Sequence, residues 1–505
     1  MVSESRFSGG GHADGQDLKQ PLLNGNDDAT ATIVASTAEE SAELGTALAH
    51  RITRSDSQAP PPHERHCTVF QTICALLTLQ LGWGLWLLPC DFARLGWIPG
   101  FVVLAILAGA TAYSGSLFTR LYAAVPRAVL LGDIGEAAVG HKGRALVYGT
   151  IYSLDATRCI ILHLAATQSI YHALAPSLET PLPLWQCSAV VAVAVLLLGQ
   201  IRYLTQLSSF FLVGTAAQMV ALAIVIHDLV LHRGPPAEDH GDGGSVSQPA
   251  WFLRSTPIQA SEYAAPLVPE GNLSDYWVTA AMAILNMIFA YGGQFAFLEL
   301  LTSMQTPQRF THAVLGCTGI MTALYGSFGA VGYWSKGATV HGIVIFSMSP
   351  GPLAQIASGF IFFQALAQYL VNLNVWAHNL LVLLHRRGRK NIEESPDICH
   401  VQSTGDHKAR DWFAATAFIA FYSAIIAVAV PFFCTLVGLV TSVTYLTCAY
   451  TLPAWFALVL LGDRLGLVER VWLKALIPLS IILSCIGLVA SVKTYMVESS
   501  GGEGF

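Results

Sequence analysis

The segment LQLGWGLWLLPCDFARLGW, Leu79 to Trp97, lies inside the first long apolar run of the chain and contradicts its surroundings. It places Gly82 and Gly84 around Trp83, then Pro89, then Asp91 and Arg94. Lipid offers no hydrogen bonds to freed backbone groups. A helix that crosses a membrane therefore keeps such breakers only where its backbone faces protein or a water-filled cavity. The fold turns on whether this run crosses a membrane.

Composition says that it does. The chain has 505 residues, 53% hydrophobic and only 11% charged, against about 25% charged in a soluble domain. The apolar residues gather in long runs that reach the ~20 residues a spanning helix needs. Eleven spans are expected: Val69–Leu95, Trp97–Leu121, Ala145–Leu174, Trp185–Ile201, Leu207–Leu231, Trp277–Leu301, Ala313–Trp334, Leu353–Leu384, Trp412–Val430, Phe432–Leu461 and Val471–Tyr495. The expected class is an all-α polytopic membrane protein occupying residues 67–497. Residues 1–66 are rich in Gly, Ser, Ala, Asp and Pro and are expected to form a disordered tail. Asp17 with Pro21-Leu22-Leu23 in that tail reads either as an acidic dileucine sorting signal or as a chance dipeptide. Residues 498–505 form a short C-terminal tail. The ten cysteines stand singly, without metal-ligand spacing, so neither a metal nor a cofactor is expected. No basic stripe points to nucleic acid.

Lysine and arginine set the orientation. One side holds only Arg94, Arg233, Arg254, Lys336 and Lys493; the other holds the remainder of the loop cations, among them Arg120, Arg144, Arg386, Arg387, Arg389 and Lys390. The N-terminus is accordingly placed in the cytosol. The one glycosylation sequon, Asn272-Leu273-Ser274, then falls on the opposite side. Span 6 enters from the side opposite to span 1, which suggests a 5+5 inverted repeat with one added helix.

Span 6 carries its own break, Gly292-Gly293, at the position corresponding to Gly82 and Gly84. Paired interruptions in corresponding helices point to a binding site in transporters of this kind. Glycine in a spanning helix also serves close packing alone, but two matched pairs favour the site. An unwound turn frees N–H groups on one half-helix and C=O groups on the other, the pair that a zwitterionic amino acid needs.

These motifs resemble those of the amino acid/auxin permease family. The family's first span is similar to Gly82-Trp83-Gly84-Leu85-Trp86-Leu87-Leu88-Pro89, followed by Gly96-Trp97-Ile98-Pro99-Gly100. Its sixth resembles Phe289-Ala290-Tyr291-Gly292-Gly293-Gln294 followed by Glu299. Thr306–Phe310 (TPQRF), Gly332–Gly337 (GYWSKG) and the tenth-span residues Pro431, Gly438 and Pro453 extend the likeness across residues 66–495. It implies a leucine-transporter-like fold and secondary transport of amino acids, neutral ones by proton symport in preference to sodium, by alternating access around broken helices 1 and 6. The implied substrate contacts are Gly82, Trp83, Gly84, Leu85, Trp86, Tyr291, Gly292, Gly293 and Gln294. Three positions depart from the family: Trp86 replaces leucine, Gln294 replaces histidine, and the eighth span lacks a common proline.

Charges within spans complete the candidates. Glu299, six residues beyond Gly293, carries the coupling proton or ties span 6 to a neighbour. Asp155 and Arg158, three apart, pair with each other or serve as proton relay or substrate contact. Asn286 stands where plant-like relatives often have aspartate and joins the coupling or gating group. Asp91 and Arg94 read as a gate or, in preference, as a wetted helix end. His163 reads as a hydrogen-bonded core residue.

No convergent acid, base, nucleophile or metal set appears, so an enzyme is not expected. No filter or ring of like charges suggests a channel. Two alternatives stay open: an auxin-like indole acid permease, and an amino acid sensor without net transport. The expected setting is an integral multi-pass protein of the plasma membrane or of a vacuolar or endosomal membrane.

Overall fold

A computed structural model describes residues 67–175, 182–201, 204–232, 273–337, 340–388 and 408–500. The expected tail 1–66, its dileucine-like segment and the sequon at Asn272 lie outside the described residues. Among the described residues the chain is helical, and its only bridge pairing is Cys67 with Met304.

Span 1 is built as two pieces. Helix α1 (Val69–Gln80) begins at a capping box, Thr68 with Gln71. A 3-10 turn (Trp83–Leu87) follows, and then α2 (Leu88–Leu95), which has Pro89 in its first turn. The two halves bend by 55°. Gly96, at φ 83°, turns the chain into α3 (Trp97–Ala124). A short helix, α4 (Leu131–Val139), precedes α5 (His141–Leu174). Asp133 caps α4 by accepting from the Val129 and Leu130 N–H groups, each at 3.0 Å. Then come α6 (Leu184–Leu198) and α7 (Leu204–Leu231).

The second half opens with α8 (Leu273–Ala290), broken at Gly292-Gly293 and resumed through a 3-10 turn (Gln294–Ala296) as α9 (Phe297–Thr302). Helices α10 (Phe310–Lys336), α11 (Pro352–Gly388) and α12 (Ala409–Ala429) follow. Span 10 is α13 (Phe433–Val440) and α14 (Leu452–Leu460), joined by two π segments, Thr441–Tyr445 and Thr447–Thr451. Helix α15 (Leu467–Ser500) ends the described chain and runs into the tail expected from residue 498.

Every expected span meets a helix, but the count of eleven is not reached by length. Among the described residues nine helices are long and apolar enough to cross a membrane, ten with the bent pair counted as one. The remaining one, α6, has only 15 residues, short of the ~20 that span a bilayer upright. Helix α4 has no counterpart among the expected spans.

The two broken spans run antiparallel. At one end the Cys67 N–H donates to Ser303 O at 3.1 Å and the Gln305 N–H to Cys67 O at 3.0 Å, so the start of α1 meets the end of α9. At the other end α2 packs against α8 and α10. Glycine allows this closeness at two points. A Cβ on Gly84 would lie 2.4 Å from Ala290 Cα, and one on Gly332 would lie 2.4 Å from Pro89 Cβ.

Candidate functional site

The two breaks face each other across one small cavity of about 30 Å³. It is lined from span 1 by Leu79, Gln80, Gly82, Trp83 and Gly84, from α5 by Arg158 with Ile161 and Leu162, from span 6 by Phe289 and Gly292, and by Gln368 of α11 and Tyr445 of the first π segment. That space accepts a water or two, so a substrate enters only when the walls part.

Backbone groups freed at the breaks are taken up by side chains, as buried polar groups require. Tyr325 of α10, fully buried, donates its hydroxyl to Ala290 O at 2.9 Å and also lies 3.3 Å from Gln80 O. One hydroxyl thus reaches the last carbonyl of each half-helix. Gln218 donates to Gly82 O at 3.1 Å. At the second break Gln294 folds onto its own turn. Its Oε1 accepts from the Gly293 N–H at 3.0 Å, and its Nε2 donates to Tyr291 O at 3.2 Å. A glutamine serves here as a two-ended clamp, which is a use for the residue that replaces histidine.

The candidate contacts separate into wall and support. Gly82, Trp83, Gly84 and Gly292 line the cavity. Trp83, 2% exposed, packs on Phe433 at 5.3 Å between ring centroids. Trp86, 0% exposed, sits edge-on to Phe328 at 5.8 Å. Both rings are inside protein, and only Trp83 reaches the cavity. Leu85, Tyr291, Gly293 and Gln294 stand behind the wall. The Tyr291 hydroxyl meets Thr322 Oγ1 at 2.8 Å, and Gly293 leaves room for Gln80, whose Cγ would be 2.6 Å from an added Cβ.

Asp155 and Arg158 share a helix face, but the carboxylate accepts from Asn379 Nδ2 at 3.4 Å, and no salt bridge joins the two among the described residues. Arg158 instead holds its Cζ 4.9 Å over the Phe295 ring. Glu299, in the first turn of α9, is exposed and makes no ion pair among the described residues, while Asp155 lies within its electrostatic reach.

Asp91 overturns its preferred reading. It is 0% exposed rather than a wetted helix end, because α2 is enclosed between α8 and α10. Its Oδ1 accepts from Asn286 Nδ2 at 2.9 Å. Asn286 therefore joins the two half-helices α2 and α8. His163 is buried and meets Ser188 Oγ at 2.9 Å, as a core histidine does.

Gln80, Gln218, Tyr325, Gln368 and Tyr445 belong to the site although the sequence did not single them out. Tyr445 ends a π segment, a geometry that clusters at functional sites and shows only in the structure. Among the described residues no group of three or more His, Cys, Asp or Glu gathers as metal ligands would.

The profile of the family described as "Transmembrane amino acid transporter protein" matches residues 65–497. The chain is 20% identical to amino acid transporter AVT1H of Arabidopsis thaliana, over 85% of this chain and 90% of that one. It is 22% identical to amino acid transporter AVT1C of the same plant, over 85% of this chain and 69% of that one. Among solved structures, MhsT in complex with L-phenylalanine aligns with a TM-score of 0.48 at 10% identity, over 83% of this chain and 98% of that one.

Proposed function

The chain belongs to the transmembrane amino acid transporter family, and we propose that it carries neutral amino acids by proton symport, through alternating access around the breaks in spans 1 and 6. One observation carries this reading. Two interrupted helices running in opposite directions meet at one small cavity, and Gln80 O, Gly82 O, Ala290 O and the Gly293 N–H at their breaks are taken up by side chains. Such a cavity presents backbone and side-chain polar groups to a zwitterion and excludes bulk water. With only about 30 Å³ available, the walls stand in a closed arrangement, and transport requires them to open to each side in turn.

Glu299 is the proton carrier in this scheme. It is a carboxylate in the first turn of α9 that makes no ion pair among the described residues. Loading a proton on Glu299 would remove its charge from the first turn of α9 and favour one position of that helix. The cytosolic placement of the N-terminus rests on the lysine and arginine distribution.

Uptake into proteoliposomes under imposed pH or sodium gradients, with a panel of amino acids, tests the reading. We expect flux stimulated by a proton gradient; no gradient-stimulated flux of any amino acid would overturn it. Glu299→Gln should abolish the proton dependence while leaving binding in place. An indole acid is the second reading, favoured by the Trp83 ring in the wall, and indole acetate in the same panel separates the two. Binding without accumulation would instead mark a sensor.

A further inference from the structure

Among the described residues Arg158 is the single charged one in the cavity wall. Among the described residues its guanidinium donates no hydrogen bond and has no carboxylate within salt-bridge distance. The nearby acid, Asp155, accepts from Asn379 at 3.4 Å and lies within the electrostatic reach of Arg158 but beyond salt-bridge distance. Two more residues of the wall carry orphaned donors: Gln80 Nε2 and Trp83 Nε1 are buried with no acceptor among the described residues. The Gln80 side chain is oriented from its other end, where Oε1 accepts from Cys317 Sγ at 3.4 Å.

Three residues of the wall, from spans 1 and 3, thus carry donor groups that meet no acceptor among the described residues. An unsatisfied buried donor costs about 1–3 kcal/mol, and a buried polar group left unpaired calls for an explanation such as an absent ligand. The complementary ligand has two acceptor oxygens and a negative charge. A carboxylate matches the planar fork of arginine, which binds it through two parallel hydrogen bonds. The Phe295 face holds the guanidinium plane by cation–π attraction without consuming its edge donors.

We propose that Arg158, assisted by Gln80 Nε2 and Trp83 Nε1, binds the carboxylate of the transported substrate and sets the requirement for one. This rests on the reading of the cavity as the substrate site. It assigns recognition of the carboxylate to side chains of spans 1 and 3, where the sequence pattern pointed to backbone N–H groups at the breaks. Substrates are accordingly acids: an amino acid amide or a decarboxylated amine of the same shape is refused.

The test uses the full chain in proteoliposomes. Each transported neutral amino acid is compared, as a competitor of uptake, with its carboxamide and its decarboxylated amine. We expect the amide and amine to compete about 100-fold more weakly, the loss of a charge-assisted pair. Equal competition overturns the proposal without any variant. Arg158→Gln should raise KM roughly 10- to 100-fold with a smaller change in kcat, and should flatten the acid–amide discrimination. Arg158→Lys, which keeps the charge and loses the fork, should retain most of the discrimination. A folded Arg158→Gln protein with unchanged KM and discrimination overturns the assignment. Replacing chloride by gluconate should leave KM unchanged; a chloride-dependent KM would give Arg158 to a halide and overturn it as well. If the wild type moves no amino acid, transport fails as a reading. Arg158 is then judged by quenching of tryptophan fluorescence in the purified protein, with acid expected to bind and amide not, and equal binding counting against it.

Discussion

Gly84→Ala should do far more damage than Gly82→Ala, although the two glycines flank the same tryptophan. An alanine Cβ at position 84 would sit 2.4 Å from Ala290 Cα, 2.7 Å from Ala290 Cβ and 2.9 Å from Ala290 N. Carbon atoms in contact prefer about 3.5–4.0 Å, so the broken helices must separate by roughly 1 Å. The obstacle is backbone, which cannot rotate away. Overpacking of this kind costs about 1–3 kcal/mol. Borne entirely by the closed arrangement, that is roughly a 5- to 150-fold loss in transport rate. At position 82 the new Cβ would meet only the end of the Gln368 side chain, with Nε2 at 3.3 Å. Gly82 has φ −131°, outside the left-handed region that favours glycine. We expect Gly82→Ala to lose no more than about 3-fold, or about 0.6 kcal/mol. Initial uptake rates in proteoliposomes, normalised to folded protein, measure both. Adding Ala290→Gly should not rescue Gly84→Ala, because the nearest obstacle is the Cα that glycine retains. Wild-type rates for Gly84→Ala, or full rescue by Ala290→Gly, would refute the argument that backbone approach fixes this residue.

Two other substitutions probe the supports of the site. Tyr325→Phe keeps the ring but removes the hydroxyl that reaches Ala290 O and Gln80 O. The cost of an unsatisfied buried carbonyl, about 1–3 kcal/mol, should slow transport at least 5-fold with little change in expression, and an unaltered uptake rate would count against it. Asn286→Ala strips the 0%-exposed Asp91 carboxylate of its one hydrogen-bond donor among the described residues, 2.9 Å away. A loss of about 1.5–3 kcal/mol is expected for a bond to a charged group, read as a lower midpoint in thermal inactivation of detergent-solubilised protein. Asn286→Ala with unchanged inactivation would remove Asn286 from its place as the tie between α2 and α8.

What could be read from the sequence, and what could not, follows from the range of each signal. Gly82, Gly84, Pro89 and Gly292-Gly293 act on their own turns of helix, so the breaks were visible locally. Their placement in spans 1 and 6 follows from counting apolar runs. Tyr325 was invisible because its meaning lies 35 positions away at Ala290 and 245 away at Gln80. Nothing in the neighbourhood of Tyr325 distinguishes it from a core tyrosine. Asp91 misled for the converse reason. Its spacing to Arg94 is the signature of a helix end meeting water, and only the enclosure of α2 by α8 and α10 reverses it. Arg158 lies between these cases. Its spacing to Asp155 permits an ion pair, and the structure breaks that expectation by giving the acid to Asn379 and leaving the base at the cavity. The glycines show the same limit most sharply. A glycine that permits a bend and a glycine that permits contact are written identically, because both functions consist in a side chain that is absent. What separates Gly82 from Gly84 is the neighbour: a movable amide for the first, a fixed Cα for the second. The pair in span 1 therefore combines one residue that the bend uses and one that the approach of span 6 demands, and the second is the one that substitution should expose.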